Sequence, residues 1–289
     1  MASLYEEVRS ALGDSRFRPK KRLGQNFLIH ERVIESILRL LNASPTDEVM
    51  EIGPGLGFLT RRLAEIVSKV WAIEVDPFLV EWLMQASLGS HPGVQLIHGD
   101  ILKICLDDLL PRRKIKLVAN LPYSISTEVL FRIFDAHEHF SSLVLMVQKE
   151  VAERIASQPG TKSYGTLSVW SQVHGRIVEK VQVSPEAFFP RPKVRSTILS
   201  MELFPKPLIS KEELPLLRGL VRAAFGQRRK TLANTLVRWL KRDREEIRGL
   251  LQAQGIDPRQ RGETLTVNEF ISLAREVRRH APQTLQGDS

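Results

Sequence analysis

The chain has 289 residues, 43% of them hydrophobic, which is enough for one large domain and a smaller one with a full core. No apolar run approaches the roughly 18–20 residues of a membrane span, and the N-terminus carries Glu6, Glu7 and Asp14 in place of an apolar segment. Membrane insertion, secretion and organelle import are therefore not expected, and a cytoplasmic location is. The single cysteine, Cys105, excludes an internal disulfide and a cysteine-based metal cluster, and the histidines lack ligand spacing, so no metal is expected.

Net charge is +9, and the excess is uneven. From Lys206 onward there are 17 Lys+Arg against 10 Asp+Glu, whereas the first 205 residues carry 25 and 23. A basic C-terminal part fits a polyanionic partner, nucleic acid above all.

In chain order, residues 1–28 read as a polar N-terminal arm that ends in Lys20-Lys21-Arg22-Leu23-Gly24-Gln25-Asn26-Phe27-Leu28. A helix with apolar residues at Val33, Ile34, Ile37, Leu38 and Leu41 follows and stops before Pro45. Val49–Ile52 is a strand, and Gly53-Pro54-Gly55-Leu56-Gly57 turns it into a helix through Leu59, Leu63, Ile66 and Val67. Such a turn lets backbone approach a ligand and aims free N–H groups at it. A dinucleotide fingerprint would need glycine at position 58, where Phe58 stands.

Strands at 70–75, 94–97, 115–119 and 143–147 alternate with helical segments, which predicts an α/β domain with a mostly parallel sheet. Ile177–Val183 and Thr197–Phe204, split by a proline-rich loop, suggest an antiparallel edge hairpin. Pro205 and Pro207 mark a boundary. Beyond it come helices at 212–225, 231–241 and 244–254, and a last one opened by the capping box Thr266-Val267-Asn268-Glu269. The expected organisation is an arm over 1–28, a Rossmann-like domain over 29–205, a small all-helical domain over 206–280 and a tail over 281–289.

Gly53, Glu74, Asp100 and Asn120 all fall at C-terminal strand ends, where open parallel sheets bind ligands. Glu74 lies 17 residues after Gly57, close to the spacing at which an acid reaches a ribose diol. Asp100 could accept from an adenine amino group. In Asn120-Leu121-Pro122-Tyr123, the Asn120 side-chain oxygen and the Leu121 carbonyl can accept both N–H bonds of an exocyclic amine and so localise its lone pair. Pro122 stiffens the loop, and Tyr123 offers a face for a flipped base, worth about 1–3 kcal/mol.

Glu51-x-Gly53-x-Gly55-x-Gly57 resembles the first motif of S-adenosylmethionine-dependent methyltransferases. Taken with Lys21–Leu28, Glu74, Gly99-Asp100, Asn120–Tyr123, Phe188-Phe189-Pro190-Arg191-Pro192-Lys193-Val194 and Phe225–Leu232, the chain resembles the ribosomal RNA adenine N6,N6-dimethyltransferases over about residues 17–280. The bacterial small-subunit branch is the nearest in motif. That resemblance implies S-adenosylmethionine as cofactor and small-subunit rRNA, or an immature 30S subunit, as partner. With no exposed heptad or long apolar face left over, a monomer is expected. The resemblance also implies that Asn26 and Leu28 close over the methionine and ribose end, that Gly53 meets the carboxylate end, that Gly55 belongs to the cofactor site, and that Glu74 holds the ribose and Asp100 the adenine. Asn120 then bridges cofactor and target, and Phe188, or its neighbour Phe189, covers the target base opposite Tyr123.

Lys20, Lys21, Arg22, Lys193, Arg228, Arg229 and Lys230 are expected to meet RNA phosphates. One position departs from the family pattern: Arg195 stands where an acid is usual. The alternatives are a large-subunit rRNA methyltransferase of the macrolide-resistance type and an assembly factor with the methyltransferase fold. A nicotinamide reductase is disfavoured by Phe58.

Overall fold

A computed structural model describes residues 4–13, 19–20, 23–86, 88–122, 125–227 and 229–280. The chain forms two compact units, Met1–Ala152 with Gly175–Lys206 and Glu153–His174 with Pro207–Ser289. Residues 153–174, placed by sequence within the first domain, thus group with the C-terminal helices.

The N-terminal stretch holds more than the polar arm read from composition. Leu4–Gly13 is a helix, α1, whose residues Leu4, Val8, Ala11 and Leu12 line one face. Val8 and Ala11 are fully buried, with Phe27, Phe58 and Leu79 in the same cluster. The polar residues between them sit on the outer face, so mean composition hid the apolar stripe.

The first unit then runs β1 (Phe27–Leu28), α2 (Glu31–Leu41), β2 (Glu48–Ile52), α3 (Phe58–Ala64), β3 (Lys69–Glu74) and α4 (Pro77–Gln85). It continues through β4 (Val94–His98), α5 (Leu106–Leu109), β5 (Ile115–Asn120), α6 (Ser126–Asp135) and β6 (Phe140–Gln148). After α7 (Lys149–Ala156) and α8 (Thr166–His174) come β7 (Gly175–Val183), β8 (Phe188–Phe189) and β9 (Ser196–Leu203). Neither α7 nor α8 was expected from sequence.

Seven strands make one sheet in the order β4-β3-β2-β5-β6-β9-β7. The pairings among β2 to β6 are parallel, and β9 is antiparallel to both of its neighbours. Order reverses between β2 and β5, the switch point at which such sheets take ligands.

The expected edge hairpin is resolved into an interior strand and an edge. In β9 every residue except Glu202 is buried, so it fits between two neighbours. In β7 Arg176, Val178, Lys180 and Gln182 face outward, which suits the exposed edge. Separately, β1 pairs with β8, Phe27 opposite Phe189 and Leu28 opposite Phe188.

The second unit holds α9 (Leu214–Gly226), α10 (Leu232–Leu240), α11 (Arg244–Ala253) and α12 (Val267–His280). Asp243 caps α11 by accepting from the Glu246 N–H at 2.8 Å. The capping box forms as read: Thr266 N–H donates to Glu269 at 2.7 Å, and Glu269 N–H donates to Thr266 Oγ1 at 3.2 Å. Within this unit the buried Tyr164 hydroxyl donates to the Leu265 carbonyl at 2.9 Å, and its ring meets Phe225 edge-on at 5.7 Å.

Candidate active site

The glycine turn follows β2 directly. Gly57 has φ 82° and precedes α3, and a Cβ there would lie 2.6 Å from both Leu83 Cδ2 and Leu88 Cδ1. Gly53 has φ 73°, but a Cβ on it would meet no atom within 4 Å, because that face opens onto a cleft. Beneath the turn Glu51 is 3% exposed and accepts from Thr60 Oγ1 at 2.7 Å. Burial pushes the Glu51 carboxyl up to about 7 against the Thr60 bond, and the neighbouring Glu74 charge adds to the rise. Thr60 had escaped the sequence reading; its spacing of nine residues from Glu51 gave no signal.

At the end of β3, Glu74 is 5% exposed and held by backbone. Its Oε2 accepts from Gly55 N–H at 3.2 Å, and its Oε1 accepts from Val75 and Asp76 N–H, each at 2.9 Å. Burial raises the Glu74 carboxyl above its ordinary value, although these three N–H groups pull the other way. A carboxylate has about four acceptor sites, so capacity for a ligand hydroxyl is left over. Past β4, Asp100 accepts from Leu102 N–H at 3.0 Å, which closes the loop that carries it.

Asn120 ends β5, and its Nδ2 donates to the Asn26 carbonyl at 3.3 Å. A carbonyl can only accept, so this bond fixes the amide orientation and leaves Oδ1 for another donor. Asn120 Oδ1 has no partner among the described residues. Leu121 N–H bonds the Met146 carbonyl at 3.0 Å, and Ile125 N–H closes on the Pro122 carbonyl at 3.3 Å.

These groups converge. Asn26, Leu28, Gly53, Gly55, Glu74, Asp100, Asn120, Leu121 and Pro122 all line one cleft, about 1280 Å³ when measured out to open solvent. Val118, Ala119, Val144 and Met146 give it an apolar floor, and residues 23–28 supply a wall. Every sequence-expected cofactor residue is present in it.

Other expectations fare differently. Phe188 is 3% exposed and packs in the core with Val183, Ala187 and Ile198, so in this structure it offers no open face to a base. Phe189 is half-buried against Tyr5, ring centroids 5.7 Å apart. Neither ring lines the cleft.

Lys20 is engaged within the protein, its ammonium donating to the fully buried Asp76 at 2.6 Å while a third of its side chain stays exposed. Lys193 is exposed, and Arg229 and Lys230 are exposed in the turn between α9 and α10. Tyr123, Lys21, Arg22 and Arg228 lie outside the described residues.

A family model described as ribosomal RNA adenine dimethylase matches residues 16–278. The chain belongs to that family. The ribosomal RNA small subunit methyltransferase A of Geobacter metallireducens is 44% identical to it over 264 residues, 90% of this chain and 96% of the relative. Among solved structures, a dimethyladenosine transferase from Plasmodium falciparum superposes with a TM-score of 0.76 at 24% identity, covering 88% of this chain and 98% of the other. The 23S rRNA methyltransferase ErmE gives a TM-score of 0.64 at 25% identity, covering 88% and 100%.

As a member of the adenine dimethylases, the protein is an S-adenosylmethionine-dependent rRNA methyltransferase. The cleft suits that cofactor on its own terms. Gly53 leaves open the space that a side chain would fill, and Glu74 keeps acceptor capacity for a ligand hydroxyl. Among the described residues no helix is long and apolar enough to cross a membrane, and no cluster of metal-ligating side chains occurs.

Proposed function

We propose that this protein dimethylates N6 of two adjacent adenosines near the 3′ end of small-subunit rRNA. The observation that carries the reading is the 44% identity, over 90% of the chain, with a ribosomal RNA small subunit methyltransferase A. Its substrate is an immature 30S subunit, which it meets in the cytoplasm as a monomer, and its binding serves subunit biogenesis.

In this reading Glu74 holds the ribose of the cofactor and Asp100 the adenine. Gly53 and Gly55 pass against the carboxylate end, while Asn26 and Leu28 cover the methionine and ribose. Bound S-adenosylmethionine supplies an electrophilic methyl group on a cationic sulfur. The chain's own contribution is orientation and electrostatics. Asn120 Oδ1 and the Leu121 carbonyl accept the two N–H bonds of the target amine, which draws its lone pair out of the ring and aims it. The amine sheds a proton only after it has become cationic, so no strong base is required. Pro122 holds the loop in shape, and Tyr123 stacks on the flipped base.

Lys193, Arg228, Arg229 and Lys230, with Lys21 and Arg22, bind phosphates of the RNA. Arg228, Arg229 and Lys230 assign RNA binding to the C-terminal helical unit, which takes in residues 153–174 as well as those after Lys206.

The test is labelled methyl transfer to immature small subunits, with large subunits and DNA in parallel, followed by nucleoside analysis. Dimethyladenosine confined to small-subunit RNA is expected. The likeness to ErmE favours one second reading, a large-subunit target. Label in large-subunit RNA selects it, and cofactor binding without any transfer selects an assembly factor.

A further inference from the structure

The wall of the cleft formed by residues 23–28 ends in β1, paired with β8, and is also held at two side-chain anchors. One is the Asn120 amide, which donates to the Asn26 carbonyl. The other is Asp76, two residues beyond Glu74 and fully buried. Asp76 Oδ1 accepts from Phe78 N–H at 3.1 Å, an ordinary cap for α4. The same oxygen accepts from Lys20 Nζ at 2.6 Å, and Oδ2 accepts from Gln25 Nε2 at 2.8 Å. Gln25 is pinned at its other end as well, since its Oε1 accepts from Lys20 N–H at 2.7 Å. A serine or threonine could cap the helix; the second oxygen and the charge serve only the segment before β1.

We propose that Asp76 is a positioning residue that clasps Lys20 and Gln25, and so holds residues 23–28 as the closed outer wall of the cofactor cleft. Glu74 and Asp76 thereby divide the end of β3 between them: one carboxylate faces the cofactor, and the other fastens the cover above it. They are joined through Asp76 N–H, which donates to Glu74 Oε1. Burial is the largest single effect and raises the Asp76 carboxyl, but the hydrogen bonds from Lys20, Gln25 and Phe78 and the Lys20 charge together outweigh it and hold the group below its ordinary value. It therefore stays charged throughout the neutral range. The clasp requires only that the cleft takes S-adenosylmethionine. The choice of RNA target plays no part, so either idea can fail alone.

The experiment compares wild type with Lys20→Met, Lys20→Arg and Gln25→Leu. Calorimetry gives the dissociation constant for S-adenosylmethionine, amide hydrogen exchange follows residues 23–28 in the ligand-free protein, and methyl transfer is run at saturating cofactor. Lys20→Met removes one charge-assisted bond and is expected to weaken cofactor binding about tenfold. Exchange over residues 23–28 speeds up, kcat stays within about twofold, and Gln25→Leu gives a smaller loss of the same kind. Lys20→Arg, which can still reach the carboxylate, restores binding to within about threefold. Unchanged cofactor affinity and unchanged exchange in Lys20→Met overturn the clasp. So does a loss of RNA affinity at constant cofactor affinity, which makes Lys20 a phosphate ligand, or a failure of Lys20→Arg to rescue.

Discussion

Glu51→Gln isolates the electrostatics beneath the glycine turn. The carboxyl is buried and rises from an ordinary 4.5 to about 7. At about 1.36 kcal/mol per pH unit, that rise corresponds to roughly 3 kcal/mol. The direction follows from which state keeps the proton. Between pH 4.5 and about 7 the unfolded chain has released it while the folded protein retains it, so wild-type stability falls as pH rises through this window. Above it the full penalty applies.

Glutamine has no proton to lose, and its amide oxygen can still accept from Thr60. Its NH₂ is left without an obvious acceptor, a cost of about 1–3 kcal/mol that does not change with pH. The test is therefore the slope. Urea unfolding of both proteins from pH 4.5 to 9 should show the variant gaining about 3 kcal/mol on wild type across the range. A difference between the two that stays constant with pH would refute the assignment of the raised carboxyl to Glu51.

Asn120→Ala removes the amide oxygen that accepts from the target amine. We expect methyl transfer to fall at least ~100-fold, with cofactor binding by calorimetry changed less than ~10-fold. Near-normal turnover would sink the assigned role. Gly57→Ala must adopt φ 82° and place a methyl 2.6 Å from two leucine carbons, so unfolding free energy should drop by about 2–5 kcal/mol. Gly53→Ala meets no neighbour and should lose only ~1–2 kcal/mol while blocking cofactor binding; equal losses for the two would contradict the cleft geometry. Neutralising Arg228, Arg229 and Lys230 should weaken RNA binding and lower the salt slope by about one unit for each phosphate no longer neutralised, as read by filter binding across salt concentrations.

Several features were legible because they depend on near neighbours along the chain. The strand-to-helix turn at Gly53–Gly57, the placing of Glu74, Asp100 and Asn120 at strand ends, and the Thr266–Glu269 capping box are all set by spacings of a few residues. Helix α1 escaped because its apolar residues Leu4, Val8, Ala11 and Leu12 are diluted by charged ones, and only a face-by-face reading separates them. The placing of β9 between β6 and β7 escaped because strand pairing is chosen by burial on both faces, which hairpin adjacency does not reveal.

Sequence by itself determined the α/β plan, the family and the inventory of polar groups in the cleft, since backbone period and motif spacing are local properties. Tertiary structure decided which of those groups serve one another. Lys20 meets Asp76 across 56 positions, and Asn26 orients Asn120 across 94. Phe188 and Phe189 are adjacent, yet one is sealed in the core and the other is half-exposed. Such choices follow from packing and from the need of each buried charge or amide for a partner, and those partners are brought together only when the chain has closed on itself.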